Sequence, residues 1–361
     1  MSSPPTTSSR LDSVDALRGL TVAAMLVVND AGDWHHVHPW LEHAEWHGVT
    51  PPDYVFPFFL FIVGVSIALA LVPQLERGAD RAQLQRKVLW RALRIVLLGL
   101  ALEAVGQLAF HPSRGFRFFG VLQRIGLCYA AVGVLTLQVR SARVQWGWIA
   151  GLLLGYWALL ALGGPLTLWD NLHDRIDTAL LGRHAYMFDA ATGRAHDPEG
   201  PLGTLPSIAT TLLGLRAGAW LRSRNTRTLL RAGLAMVAAG ALWSLVLPLN
   251  KNLWTSSFVL WMGGWATLML LAAHWAVDRH GWPALGRSMG VNAITAYAAS
   301  WVAICILEGS GVMRPLYATL FARPLAGFEP WVPSAAFALA FTAVFWALMR
   351  WFYQRGWRIT I

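Results

Sequence analysis

Apolar blocks of close to twenty residues recur along the whole chain, divided by short polar segments rich in Arg, Gly, Pro and Asp. A helix needs about 20 such residues to cross the hydrocarbon core of a bilayer. Barrel strands would instead alternate apolar and polar positions, and no such alternation runs through these blocks. With no water to satisfy backbone groups in lipid, the spans must then be helices. The pattern predicts an all-α polytopic membrane protein of about ten spans (nine to eleven). They fall roughly at 14–29, 54–73, 93–110, 119–138, 144–163, 203–221, 229–248, 255–277, 289–307 and 331–352. Residues 1–9 read as a disordered polar tail, and 10–361 as one transmembrane domain with outer loops at about 30–53, 164–203 and 308–330.

Composition agrees. Of 361 residues, 56% are hydrophobic and only 13% charged, about half the charged share of a soluble domain. A net charge of +10 raises nucleic acid or anionic lipid as partners, but its distribution follows topology instead. With the N-terminus inside, cytoplasmic ends and loops hold 20 of the 29 Lys and Arg, the outer side holds 8, and Arg124 lies within a span. The positive-inside rule then sets both termini in the cytoplasm, and no nucleic-acid footprint is left to explain. Leu20–Val28 imitates the apolar part of a signal peptide. Asp12 and Asp15 spoil the basic leader, and no small-residue cleavage site follows, so the segment is kept as a mature helix. Cys128 and Cys305 sit in apolar runs and read as packing residues, offering neither a disulfide framework nor a CxxC metal site. Tryptophans 34, 40, 46, 254, 331 and 351 lie near span ends and read as an aromatic belt. A short helix is predicted over Leu172–Leu181, and the 308–330 loop is apolar enough to lie on the membrane surface.

Ionisable groups inside spans are costly and point to function by default. The first span opens RLDSVDALRGL, with Asp12, Asp15 and Arg18 at three-residue spacing on one face. One reading is a self-neutralising ion pair at the membrane edge. The other starts from Arg18 and Asn29, three turns and roughly 16 Å apart on a shared face. A polar stripe of that length predicts that the span lines a central cavity. Arg124 in GVLQRIGLCY either pairs with Glu103 or holds a ligand inside the bundle. Asn250, Lys251 and Asn252 in LPLNKNLWTSS form a polar cluster between two spans. Asp197 and Glu199 in HDPEGPLGT precede another span, where they suit a helix N-terminus or the amine and hydroxyls of a sugar.

Residues 33–47, DWHHVHPWLEHAEWH, hold five of the eleven histidines. Asp33, His35, His36 and His38 can be drawn as a metal site, but no HExxH helix or Cys partner supports it. Those three histidines read as a solvated loop, and no metal is expected. His43 differs, because Pro51, Pro52 and Pro57 force irregular backbone just after it and Asp53 suits an N-cap there. A histidine at a cavity mouth, with an ordinary pKa near 6.5, suits proton abstraction from an amine or hydroxyl.

RLDSVDALRGL, the VN at Val28–Asn29, LEHAEWHGVTPPDYVFPFFLFIVGVSIAL, GVLQRIGLCY, DPEGPLGTLPS and PLNKNLWTSSF resemble, in order, the membrane domain of the heparan-alpha-glucosaminide N-acetyltransferase family, over about residues 10–300. The resemblance implies a multispan acyltransferase in a bacterial inner membrane. It would take acetyl from cytosolic acetyl-CoA and deliver it to a glucosamine amine on the outer side. The family's active histidine, in its H-A-x-W-x-G motif, lands on His43, and its VN asparagine on Asn29. Arg10, Arg18, Asp15 and Arg124 would serve the CoA donor, and Asp197, Glu199, Asn250, Lys251 and Asn252 the acceptor and cavity. A homodimer is the family expectation. The lysosomal enzyme carries a luminal domain and one more N-terminal span ahead of this region, so acceptor contacts of that domain are not carried over. The loop between Asn29 and His43 is longer here. Two other readings stay open: a permease for an amino sugar or muropeptide, and an O-acyltransferase of a periplasmic glycan on the same fold.

Overall fold

The computed structural model describes residues 11–110 and 115–359. The predicted tail and Arg10 lie outside the described residues. The chain is mostly helical. In order, α1 spans Asp12–Asn29, α2 Val55–Glu76, α3 Arg81–Phe110, α4 Val121–Gln138, α5 Ala142–Leu162, α6 Leu172–Leu180, α7 Pro201–Arg222, α8 Thr226–Trp243 and α9 Ser256–Ala273. Short α10 (Arg287–Val291) leads into α11 (Ala293–Gly309), then come α12 (Met313–Tyr317) and α13 (Trp331–Gln354). Each of the ten apolar segments falls on a helix. By length and composition, six helices among the described residues can cross a membrane, or seven if the pair Ala293–Gly309 and Met313–Ala322, bent by 98°, counts as one span.

The helices that miss this measure include those with the most polar interiors. α7 buries Thr204, Ser207, Thr210 and Thr211, and each hydroxyl donates to the carbonyl four residues before it, at 3.2, 2.8, 3.3 and 3.1 Å. Such back-bonding satisfies a hydroxyl inside an apolar bundle. α7 packs along α2, and the contact is close because both helices are bare there. A Cβ on Gly64 would overlap the Thr211 carbonyl, and one on Gly214 the Phe61 carbonyl. A second such seam joins α1 to α10, where Cβ atoms on Gly19 and Gly290 would overlap the carbonyls of Gly286 and Asp15. Small residues that let backbones meet are how helices associate when lipid offers no hydrophobic gain.

Three sequence expectations change. The long 164–203 loop carries, besides the expected short helix, a two-stranded hairpin, Met187–Asp189 with Arg194–His196. Its register pairs Met187 with His196, which turns His196 back into the bundle. Residues 313–322, within the stretch read as an outer loop, are helical. Trp254 is no belt residue: a left-handed turn (φ 51°) folds it inward. There its Nε1–H donates to Thr210 at 3.0 Å and its ring packs on Phe56 and Phe258. Cys128 and Cys305 are buried free thiols.

A candidate active site at the His43 end of the bundle

The segments around His43, Arg117, Asp197 and Lys251 gather at one end of the bundle. The Gly48 amide donates to Leu249 at 2.8 Å, and the Trp46 indole to Leu166 at 2.6 Å. These bonds fix the loop that bears His43 between two others. The prolines set the next step: Pro51 and Pro52 start a tight helical turn over Pro51–Tyr54 with Thr50 as its N-cap. Asp53 therefore stands at the third helical position and not at the cap. Its Oδ2 accepts from the Thr50 amide at 2.9 Å, the Thr50 hydroxyl at 3.0 Å and the Ala44 amide at 3.2 Å. This is a capping box, and it leaves Oδ1 aimed at His43, whose Nδ1–H donates to it at 2.7 Å. Asp53 is 1% exposed, while the His43 side chain is 45% exposed. A buried carboxylate thus fixes the tautomer of an accessible imidazole, with Nδ1 as the protonated nitrogen and Nε2 as the one carrying the lone pair.

Lys251 completes the group. Its ammonium lies 3.0 and 3.1 Å from the two His43 ring nitrogens and 3.6 Å from Asp53 Oδ1. Burial pushes the Lys251 ammonium down from the ordinary lysine range, against the opposing pull of Asp53 and Glu199. The turn that presents it is braced by Asn250, fully buried, whose Oδ1 accepts from the Leu253 amide at 2.8 Å. The Asn250 amide nitrogen Nδ2 donates to His47 at 3.3 Å. Asn252 is half-buried beside it.

Behind this mouth lies a second charged layer. Arg117 Nε and Nη2 donate to the two oxygens of Asp197 at 2.8 and 2.6 Å, and Nη2 also to Glu199 at 2.5 Å. Burial alone would raise the Glu199 carboxyl; Arg117, with Arg124 and Lys251, holds it below the ordinary range. Arg124 is fully buried, and not on Glu103: one nitrogen donates to Gly200 O at 3.1 Å and the guanidinium lies 5.3 Å over Trp254. Its Nε and Nη1 find no hydrogen-bond partner among the described residues.

The residues assigned to catalysis and the acceptor, His43, Lys251, Asn250, Asn252, Asp197 and Glu199, thus gather there, and Arg124, assigned to the donor, lies beside Glu199 with them. Asn29 ends α1 exposed, with no side-chain hydrogen bond to His43 among the described residues. Arg18 and Asp15 are elsewhere, in the packing of α1. Arg18 donates to Asp15 at 2.9 Å, Gly290 O at 3.1 Å and Ser66 at 2.8 Å, tying α1 to α10 and α2. His35 and His36 are exposed, His36 bonded to Asp33 at 2.8 Å, and His38 packs on Trp331. Sequence reading missed Arg117 and underread Asp53. The signal for Asp53 was its position ten residues after His43 and directly behind two prolines; Arg117 gave none.

Asp30 was also missed. It follows Asn29, is 5% exposed, and burial pushes its carboxyl up to about 7. A carboxyl raised on folding makes the native state hold its proton longer, so stability is full at low pH and declines as pH climbs from about 4 toward 7. Asp30→Asn is expected to remove this decline. Apparent Tm in the wild type should fall by several degrees between pH 5 and pH 8, and a variant with the same slope would refute the assignment.

The sequence profile described as heparan-alpha-glucosaminide N-acetyltransferase, catalytic, matches residues 10–247. The heparan-alpha-glucosaminide N-acetyltransferase of Homo sapiens is 32% identical over 335 residues, covering 75% of this chain and 49% of the human one. That of Mus musculus is 32% identical over 340 residues, with 76% and 50% covered. The chain spans about half the length of these curated relatives. On the match across residues 10–247, which takes in His43, Asp53, Arg117, Arg124, Asp197 and Glu199, the chain belongs to the heparan-alpha-glucosaminide N-acetyltransferase catalytic family.

Proposed function

We propose that this chain moves the acetyl group of acetyl-CoA across a membrane onto the amine of a glucosamine-type sugar. The observation that carries the reading is the His43–Asp53 pair, an accessible imidazole oriented by a buried carboxylate. In direct transfer the neutral sugar amine attacks the thioester carbonyl carbon, and His43 Nε2 takes the amine proton. The C–N bond forms, the C–S bond breaks, and the CoA thiolate leaves and is reprotonated from His43. In the alternative route His43 Nε2 attacks the thioester carbonyl, the C–S bond breaks and the CoA thiolate leaves. The amine then attacks the acetyl-imidazole carbonyl, the C–N bond to His43 breaks, and the amine proton passes through the freed Nε2 to solvent while the thiolate is protonated from water. Asp53 holds the imidazole in register in both. Lys251 and Asn29 supply positive charge and a donor for the oxyanion that develops on the carbonyl.

Glu199, Asn250 and Asn252 line the acceptor side, with Asp197 set behind them through Arg117. Arg10, Arg18 and Asp15 mark the donor's nucleotide end, and Arg124 the cavity between. Ten spans, both termini in the cytoplasm and the His43 loop on the outer face of a bacterial inner membrane complete the topology. The test uses sealed vesicles loaded with acetyl-CoA and given external glucosamine. Free CoA should appear inside and N-acetylglucosamine outside, without net sugar uptake. Sugar uptake without CoA release would make the chain a permease, and a product cleaved by hydroxylamine would be an ester and make the acceptor a hydroxyl.

A further inference from the structure

Beneath the proposed acceptor wall, α6 and the hairpin bring together four buried side chains that the chemistry above does not use. His173, Asp174 and Asp177 come from one turn of α6, and His196 from the second strand of the hairpin. All four are at most 1% exposed, and each offers a nitrogen or carboxylate oxygen within 4.8 Å of the other three. His173 Nδ1–H donates to Asp177 Oδ2 at 3.1 Å, and His196 Nδ1–H to Asp174 Oδ1 at 2.6 Å.

Two features are not explained by packing. First, polar atoms here are left over. Both Nε2 atoms and Asp177 Oδ1 are buried without a hydrogen-bond partner among the described residues, and a buried polar atom left unpaired bears its desolvation cost with nothing to offset it. Second, the two carboxyl groups lack a permanently charged partner. The neighbouring carboxylates Asp197 and Glu199 are met by Arg117, with Arg124 close behind. Asp174 and Asp177 have no Arg or Lys partner among the described residues. They accept only from imidazoles and amides: His196, Asn171 and the Trp169 amide on Asp174, and His173 and the Asp197 amide on Asp177.

A divalent cation removes both faults at once. We infer that His173, Asp174, Asp177 and His196 form a structural zinc-class metal site that staples α6 to the hairpin. Two imidazoles favour zinc over calcium or magnesium, which take oxygen ligands. Four protein ligands leave no open position for a reacting water, which is the pattern of a structural site. Ligand bonds of about 2.1 Å draw tetrahedral ligand atoms to roughly 3.4 Å apart, so the four groups close slightly on binding. The start of α7 meets the cluster with bare backbone: a Cβ on Gly200 would lie 2.5 Å from Asp177 Oδ1, and one on Gly203 2.9 Å from His173 Nε2, so a side chain at either position would crowd the ligand atoms. The staple would bear on the active end through two contacts. His196 packs edge-on against Trp46 at 5.4 Å, in the His43 loop, and Asp177 accepts the amide of Asp197.

The test uses the full chain, purified without a polyhistidine tag into nanodiscs after growth with zinc. Elemental analysis should find close to one zinc per chain that survives a chelator wash. The chelator-stripped protein should take up Co2+ with a visible ligand-field band that saturates at one equivalent. His196→Ala and Asp177→Asn should each cut retained zinc at least about tenfold, while the triple His35→Ala, His36→Ala, His38→Ala variant retains it. Wild-type protein that holds no zinc and shows no saturable Co2+ band overturns the site, whatever the variants do. Zinc lost in the triple variant but kept in His196→Ala assigns the metal to the exposed loop and overturns it equally.

Discussion

Replacing His43 with Ala is expected to lower acetyl transfer by at least about 10²–10⁴-fold, the contribution typical of a positioned general base. The protein should stay folded, because the side chain is 45% exposed and fills no core space, and Asp53 keeps its bonds to Thr50 and Ala44 and its ion pair with Lys251. The measurement is CoA release in vesicles beside apparent Tm and elution volume of the same preparation. Asp53→Asn sharpens the result. It keeps the shape but removes the charge that fixes the imidazole, so it should cut the rate strongly as well. It also weakens the capping box to Thr50, so its Tm should drop where that of His43→Ala does not. Near wild-type transfer by His43→Ala would sink the functional reading. If the variant is inactive, labelled acetyl-CoA given to wild-type protein without acceptor separates the two routes, since only the carrier route leaves label on His43.

Arg117→Met should be the most damaging single change to stability. The substitution strands Asp197, fully buried, and Glu199, 9% exposed, without their shared counter-ion. Breaking a buried ion pair from one side costs about 3–5 kcal/mol, which for a chain of this size is a drop in apparent Tm of about 4–7 °C. The sign of the pH dependence follows from Glu199, whose carboxyl is held below its ordinary range. A depressed acid adds stability above its unfolded pKa and loses it as pH falls through the folded one. The gap between wild type and Arg117→Met should therefore be widest near neutrality and narrow as pH drops through about 4. Adding Asp197→Asn and Glu199→Gln should restore much of the loss, because neutral amides need no counter-ion. A drop under 1 °C at neutral pH would mean that the carboxylates find another partner.

The two predictions rest on residues of unequal visibility in the sequence. The position of His43 beside Asp53 was legible because an irregular proline-rich stretch follows it and because its surrounding motif is distinctive; the polar stripe read along α1 was no guide, since Arg18 and Asp15 serve helix packing. The helices were legible because apolar length is a strong signal, whereas α12 is short and sits in a stretch without a clear period. Arg117 was not legible: it lies in a loop, 80 residues from Asp197, and pairing across that distance leaves no mark on local sequence. The same holds for His173 and His196, which share a cluster only because the hairpin register turns His196 inward. Trp254 failed for a different reason. Proximity to a span end suggests a belt, but one left-handed residue is enough to reverse a side chain.

The glycine seams bear on how anything passes this membrane. Where α2 meets α7, and α1 meets α10, carbonyl and Cα of facing helices touch with no side chain between them. A rocking transporter would have to open such a joint on every cycle and reseal it. On the proposed chemistry nothing so large must move, since the sugar stays on one side, the nucleotide on the other, and only two carbons make the crossing. The bundle can then act as a fixed bulkhead with a narrow port, and its throughput would be set by how fast the two reactants dock at opposite ends.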